Sequence, residues 1–287
     1  MKMDFGKIKE SKGIRVLVLI LLLVGLVYYT STLELDKISF TLKQEEIFYL
    51  AAIFIIFNIT RMFSMKIFLE LFNIKLTLKE TIELHFLSAF GEIASFIGKV
   101  GADATKYLYL TGKEKKKAVI GFRLLSTYAY LLVFFGFFYI VTMNIALLAL
   151  FIAITIAPII LQKKINAMLP EKNYSKLVQA NLLFMASVIL TIIGAAIIIA
   201  TFSHTINLDL LFSYFFSYIA GILSTLPFGF GVQEALIIGT FSSTFTNETI
   251  TTIIILTRIT TVIPSALIGA MIFMKKLLVK KQQQLKK

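Results

Sequence analysis

Three arginines fall inside long apolar stretches of the sequence, where an ionised side chain needs a chemical reason to be retained. Arg61, Arg123 and Arg258 are three of only four arginines among 29 basic residues, because the loops use lysine instead. An arginine at the centre of a membrane helix costs at least ~2.5 kcal/mol, and its planar guanidinium suits a phosphate or a carboxylate. Arg61 lies near the inner end of its stretch and is predicted to extend to the membrane surface. Arg123 and Arg258 are candidates for binding an anion.

A short glycine-rich segment with an acidic residue precedes each of these two candidates. The sequence GKVGADA at 98–104 comes before Arg123, and GFGVQEA at 229–235 comes before Arg258. The separations between acid and arginine are 20 and 24 residues. This similarity indicates an inverted repeat, the arrangement in which transporters place a binding site near the middle of the membrane between broken helices. One alternative is that two glycine-rich breaks arose by chance, and another is that the acids only form structural ion pairs with the arginines.

Polar residues follow the two arginines at helical intervals. Arg123, Ser126 and Tyr130 share one face of a predicted helix, and Arg258 and Ser265 repeat this pattern. A helix that begins just beyond a glycine-rich break also presents free backbone amides to an anion. We therefore predict a polar cavity that binds a lipid phosphate or its headgroup. Its candidate lipid-binding residues are Glu92, Asp103, Lys106, Arg123, Tyr130, Gln233, Glu234 and Arg258, and its predicted helix breaks are Gly98, Gly101, Pro227, Gly229 and Gly231.

The composition excludes a soluble globular protein and a disordered one. Hydrophobic residues make up 58% of the 287 residues and charged residues only 16%, whereas soluble domains are about half apolar and roughly 25% charged. There is no cysteine, and the two histidines, His85 and His204, are far apart in sequence. We therefore predict no metal site and no cofactor, and we expect His85 at the membrane interface.

The apolar stretches predict an all-α fold, a polytopic transmembrane helical bundle that forms a single integral membrane domain over residues 1–287. A helix needs about 20 apolar residues to cross the hydrocarbon core. The segment 82–110 is predicted to be re-entrant, and 209–246 is predicted to be either re-entrant or two short crossing helices. The six predicted full spans are 14–32, 47–68, 118–142, 144–161, 178–202 and 250–274.

The distribution of charge predicts the orientation in the cell membrane. Lysines concentrate in residues 1–13, in the loop 113–117 and in the tail 275–287. By the positive-inside rule these segments are cytoplasmic, which places both termini in the cytoplasm. The net charge of +13 then indicates contact with anionic lipid headgroups rather than with nucleic acid.

Three segments resemble the signatures of a known family. The sequences PFGFGVQEALIIG at 227–239, TRITTVIPSALIG at 257–269 and GEIASFIGKVGADATKYLYLTG at 91–112 are similar to those of the lysylphosphatidylglycerol synthase transmembrane-region family. These are flippase-like integral membrane proteins. The resemblance implies movement of a modified phospholipid or a lipid-linked sugar between leaflets. It also implies that Glu234 and Arg258 correspond to the family's acid and arginine, and that Glu92, Asp103 and Arg123 correspond to an earlier set.

Two other functions remain open from the sequence. The protein could be a non-catalytic membrane partner of a separate synthetase or glycosyltransferase. It could also be an intramembrane enzyme acting on a lipid phosphate, with Glu92 and Asp103 as its carboxylate pair. No phosphate-binding loop of the nucleotide-hydrolysing type occurs in the sequence, so the transporter is expected to work without ATP coupling of its own. The paired glycine-rich segments and the arginines with their acids favour a transporter over an enzyme, and no catalytic residue is predicted.

Overall fold

The computed structural model describes residues 42–95, 98–163, 165, 169–224, 226 and 229–285, and this part of the chain forms ten helices and no strand. The predicted span 14–32, the predicted N-terminal segment 1–13 and Pro227 lie outside the described residues. The ten helices are α1 (Gln44–Glu70), α2 (Leu78–Ile93), α3 (Gly98–Tyr109), α4 (Lys115–Thr142), α5 (Ile145–Ile160), α6 (Tyr174–Ser203), α7 (Leu208–Leu223), α8 (Val232–Phe241), α9 (Asn247–Thr261) and α10 (Ile263–Leu285).

Three helices are long and apolar enough to cross a membrane. They are α1, α4 and α6, with 27, 28 and 30 residues, and they correspond to the predicted spans 47–68, 118–142 and 178–202. Asn173 caps the start of α6, where its side chain accepts a hydrogen bond from the backbone amide of Lys176. Such caps satisfy amides that have no partner within the helix.

The other two predicted spans in the described region differ from the sequence expectation. The span 250–274 consists of α9 and the first part of α10, which meet at an angle of 41° and together are long enough for one crossing. The span 144–161 corresponds to α5, which has only 16 residues and contains Pro158. It is therefore shorter than the roughly 20 residues a crossing requires. The described residues thus contain three candidate spans, or four if the bent pair is one span.

The first interrupted segment forms the helices α2 and α3, which pack against each other. Helix α2 ends at Ile93, before the predicted break, and α3 already begins at Gly98. Gly101 lies inside α3, where a Cβ would approach the Gly91 carbonyl oxygen to 2.2 Å. Gly101 is therefore needed for close helix packing and not for turning the chain. This corrects the prediction that Gly101 is part of the break.

The second interrupted segment forms α7 and α8, with 16 and 10 residues. Each helix is shorter than the length needed to cross the hydrocarbon core. A Cβ on Gly229 would lie 2.4 Å from the Gly221 Cα, so this pair also depends on close glycine contact. Gly231 has a φ of 86° at the start of α8, a conformation that glycine adopts readily.

The core forms where α1 and α6 pack along much of their length. Ser64 is fully buried there and donates a hydrogen bond to the Ala180 carbonyl oxygen at 2.7 Å. Helices α4, α7 and α9 pack around this pair, and α10 packs against α2. The order of a long helix, a broken pair and a further helix therefore occurs twice along the described chain.

Candidate functional site

An internal cavity of about 160 Å³ lies where the described helices converge. Among the described residues, its wall carries five cationic and two carboxylate side chains, although the surrounding helices are apolar. The broken pair α2 and α3 contributes four of these seven charges, and α1, α4 and α9 contribute one arginine each. The cationic residues are Arg61, Lys99, Lys106, Arg123 and Arg258, and the acidic residues are Glu92 and Asp103.

Six of the eight predicted lipid-binding residues line this cavity. Gln233 and Glu234 do not reach it, because both lie buried on α8 behind Arg258 and Gly221. The six that line it are Glu92, Asp103, Lys106, Arg123, Tyr130 and Arg258.

Glu234 and Arg258 form a buried ion pair between α8 and α9. The Glu234 Oε1 atom accepts hydrogen bonds from Arg258 Nε at 2.9 Å and Nη2 at 2.5 Å. The other carboxylate oxygen accepts a hydrogen bond from the Gly231 amide at 2.6 Å, which satisfies the start of α8. Arg258 is only 5% exposed and Glu234 only 9%. Glu234 therefore neutralises Arg258 from outside the cavity wall.

The earlier acid and arginine are also paired, across the contact between α3 and α4. Asp103 accepts hydrogen bonds from Arg123 at 3.2 Å and from Lys106 at 3.3 Å, through different carboxylate oxygens. The Arg123 side chain is 49% exposed, and its helix neighbours Ile120 and Leu124 are exposed as well. This contact, which we call the α3–α4 seam, is where the cavity approaches the apolar outer surface.

Arg61 is a cavity residue that sequence reasoning missed. It was predicted to extend to the membrane surface, but its guanidinium points inward and donates hydrogen bonds to Tyr130 on α4 and Ser187 on α6. The rings of Phe57 and Phe184 lie 4.4 and 5.0 Å from the guanidinium carbon, within the range of cation–π attraction. Partners on two other helices therefore turn Arg61 into the bundle.

Lys99 was also missed, because its position in a glycine-rich segment indicated a turn. It lies in the first turn of α3 and lines the cavity. Its ammonium is 5.6 Å from the centre of the Tyr130 ring, the same tyrosine whose hydroxyl binds Arg61. The two cations therefore converge on Tyr130 from different helices.

A chain of hydrogen bonds in the cavity wall includes His85, which was expected at the membrane interface. The structure places it in the cavity wall, with His85 Nε2 2.8 Å from Asn58 Oδ1. Ser265 donates a hydrogen bond to the same oxygen at 3.2 Å, and Asn58 donates its amide to the Phe54 carbonyl oxygen. Because Asn58 Oδ1 can only accept, the His85 Nε2 atom must carry a proton here. No sequence spacing linked these residues, which come from α1, α2 and α10.

The comparison with known families finds a match that includes the site residues on α4 and α9. The family described as the lysylphosphatidylglycerol synthase transmembrane region matches residues 107–269, which is more than half of the chain. The matched segment contains Arg123, Tyr130 and the pair Glu234–Arg258, and it begins just after Asp103. No curated protein and no solved structure matches the chain.

The match agrees with the resemblance of the three sequence segments and with the long apolar helices of the structure. It covers α4 to α9 in full, including the buried ion pair and the arginine at the seam. The chain belongs to the lysylphosphatidylglycerol synthase transmembrane-region family of membrane proteins.

Proposed function

We propose that the protein moves a modified phospholipid or a lipid-linked sugar between the two leaflets of the cell membrane. The observation that supports this most directly is the charged cavity enclosed by apolar helices. A headgroup needs such a polar environment to pass the hydrocarbon core, because an unpaired charge there costs several kcal/mol. The acyl or prenyl chains would remain in the bilayer, and the α3–α4 seam would let them stay attached to the headgroup in the cavity.

The repeated order of helices supports the same proposal. Each broken pair is followed by an ion pair, Asp103–Arg123 in one case and Glu234–Arg258 in the other. We interpret the two sets as an inverted repeat around a central site, in which broken helices surround a cavity and carry its charges. In this arrangement the basic segments, including both termini, lie in the cytoplasm.

Reconstituted protein should accelerate the movement of at least one lipid class between leaflets. The assay uses proteoliposomes with fluorescent phospholipids or fluorescent lipid-linked sugars of defined headgroup, and a membrane-impermeant reductant that quenches only the outer leaflet. Arg61→Gln should slow this movement about tenfold or more, because it removes charge-assisted hydrogen bonds in the cavity.

Lys113→Gln is the matched control, since Lys113 is exposed in the loop between α3 and α4 and lies outside the cavity. This variant should move lipid at the wild-type rate. If well-folded wild-type protein moves none of the lipids, the proposal is wrong. The alternative, a membrane partner of a separate synthetase or glycosyltransferase, would then be favoured.

A further inference from the structure

The cavity has more cations than its carboxylates can neutralise. Glu234 balances Arg258, and the single carboxylate of Asp103 is shared between Lys106 and Arg123. Arg61 and Lys99 are left with Glu92, which acts on both electrostatically. Among the described residues, Lys106 and Arg123 therefore share one acid, and Arg61 and Lys99 share another. With every lysine and arginine counted as charged, the described residues of the cavity together with Glu234 carry a formal surplus of two positive charges.

Arg61 and Lys99 are the cavity cations that have no ion-pair partner among the described residues. The hydrogen bonds of Arg61 go to two uncharged hydroxyls, and Lys99 has no carboxylate within ion-pair distance among the described residues. Both line the cavity and both border the Tyr130 ring. Lys99 also lies at the positive end of α3, a helix of 12 residues, which adds to the attraction for an anion.

Charge and volume together limit what can occupy this cavity. A zwitterionic headgroup would leave both surplus charges uncompensated, and a phosphodiester with one negative charge would leave one. A phosphate monoester carries about −1.5 to −2 at neutral pH and matches the surplus. The volume of about 160 Å³ is well below the roughly 300–1,000 Å³ of sites that enclose a whole small-molecule ligand. This volume is of the size that a phosphate or diphosphate would fill.

We infer that the cavity binds the doubly charged phosphate of a lipid monophosphate or lipid diphosphate, with Arg61 and Lys99 as its direct ligands. This inference rests on the proposed function, because it names the class of lipid that the protein would move. It narrows that class from phospholipids and lipid-linked sugars in general to lipids whose phosphate group carries two negative charges. The phosphate binds between α1 and α3, and the lipid chains leave through the α3–α4 seam.

The test measures binding to the detergent-solubilised full chain and does not depend on transport. Three probes share the same short acyl chains: dihexanoyl phosphatidic acid, dihexanoyl phosphatidylglycerol and dihexanoyl phosphatidylcholine. Each is titrated at pH 7.5 while the rise in melting temperature is followed, which yields an affinity. Phosphatidic acid should bind about tenfold or more tighter than phosphatidylglycerol, the scale of one additional charge-assisted hydrogen bond. Phosphatidylcholine should bind weakest.

Lys99→Gln should abolish the preference for phosphatidic acid, whereas Lys113→Gln should retain it in full. Equal affinities of wild type for phosphatidic acid and phosphatidylglycerol would overturn the inference without recourse to any variant. Retention of the preference by Lys99→Gln would overturn the assignment of Lys99. Inorganic phosphate or pyrophosphate that competes as well as phosphatidic acid would show that the ligand is a free anion and not a lipid.

The outcomes also separate this inference from the proposed function. Binding with the expected preference but no lipid movement in proteoliposomes would contradict the transport proposal alone. Lipid movement without any preference for a doubly charged phosphate would contradict the inference alone.

Discussion

Arg258→Met should destabilise the protein by about 3–5 kcal/mol, because it leaves the Glu234 carboxylate buried without its counterion. Glu234 is 9% exposed, and its carboxylate depends on Arg258 for two of its hydrogen bonds. Its remaining partner is the Gly231 amide, which cannot balance a full charge. The measurement is the free energy of unfolding in mixed micelles with increasing denaturing detergent, followed by circular dichroism.

The double variant Glu234→Gln/Arg258→Met should recover most of this loss. Removing both members of a buried ion pair is often close to neutral, whereas removing one is not. Lys117→Met serves as the control, since Lys117 and Glu114 form an exposed ion pair at 3.0 Å. It should cost less than ~1 kcal/mol. If Arg258→Met cost no more than this control, the ion pair would not be buried as described.

Gly269→Ala should destabilise the protein by about 1–3 kcal/mol through overpacking. Gly269 is on α10, and a Cβ there would approach the Phe86 carbonyl oxygen on α2 to 2.0 Å. Because the neighbouring atoms belong to the backbone, no side-chain rotation can relieve the contact. The same detergent-unfolding measurement applies.

Gly239→Ala provides a control with the same chemical change in another helix. A Cβ on Gly239 would meet no heavy atom within 4 Å, so the substitution should stabilise α8 by about 0.5–1 kcal/mol. Similar effects of the two substitutions would contradict the close packing of α10 on α2.

The pairing of acids with arginines could be anticipated from sequence, whereas the full set of cavity residues could not. Asp103 and Glu234 lie near the starts of α3 and α8, close to glycines in the sequence, and each meets the arginine of a following helix. Arg61 is different, because its position near a helix end is compatible with either an inward or an outward side chain. Tyr130 and Ser187 decide its direction, and they are distant in sequence.

Some of the helix boundaries could also be predicted from the sequence, and others could not. Long uninterrupted apolar runs predicted α1, α4 and α6 closely, because hydrophobic length alone specifies such helices. The glycines at 98–101 were assigned to a break, since glycine favours turns and close packing alike. The use of Gly101 for packing depends on its partner Gly91, which only the fold brings into contact.

The glycine contacts of α2 have a mechanical consequence. The backbone of α2 touches α3 at Gly91 and Gly101 and touches α10 at Gly269, so no layer of side chains separates these three helices. Backbone contacts this close leave little room for one helix to slide past its neighbour. We therefore expect α3 and α10 to move together with α2. The α3–α4 seam, joined by the Asp103–Arg123 ion pair, is the boundary at which we expect these helices to separate from α4.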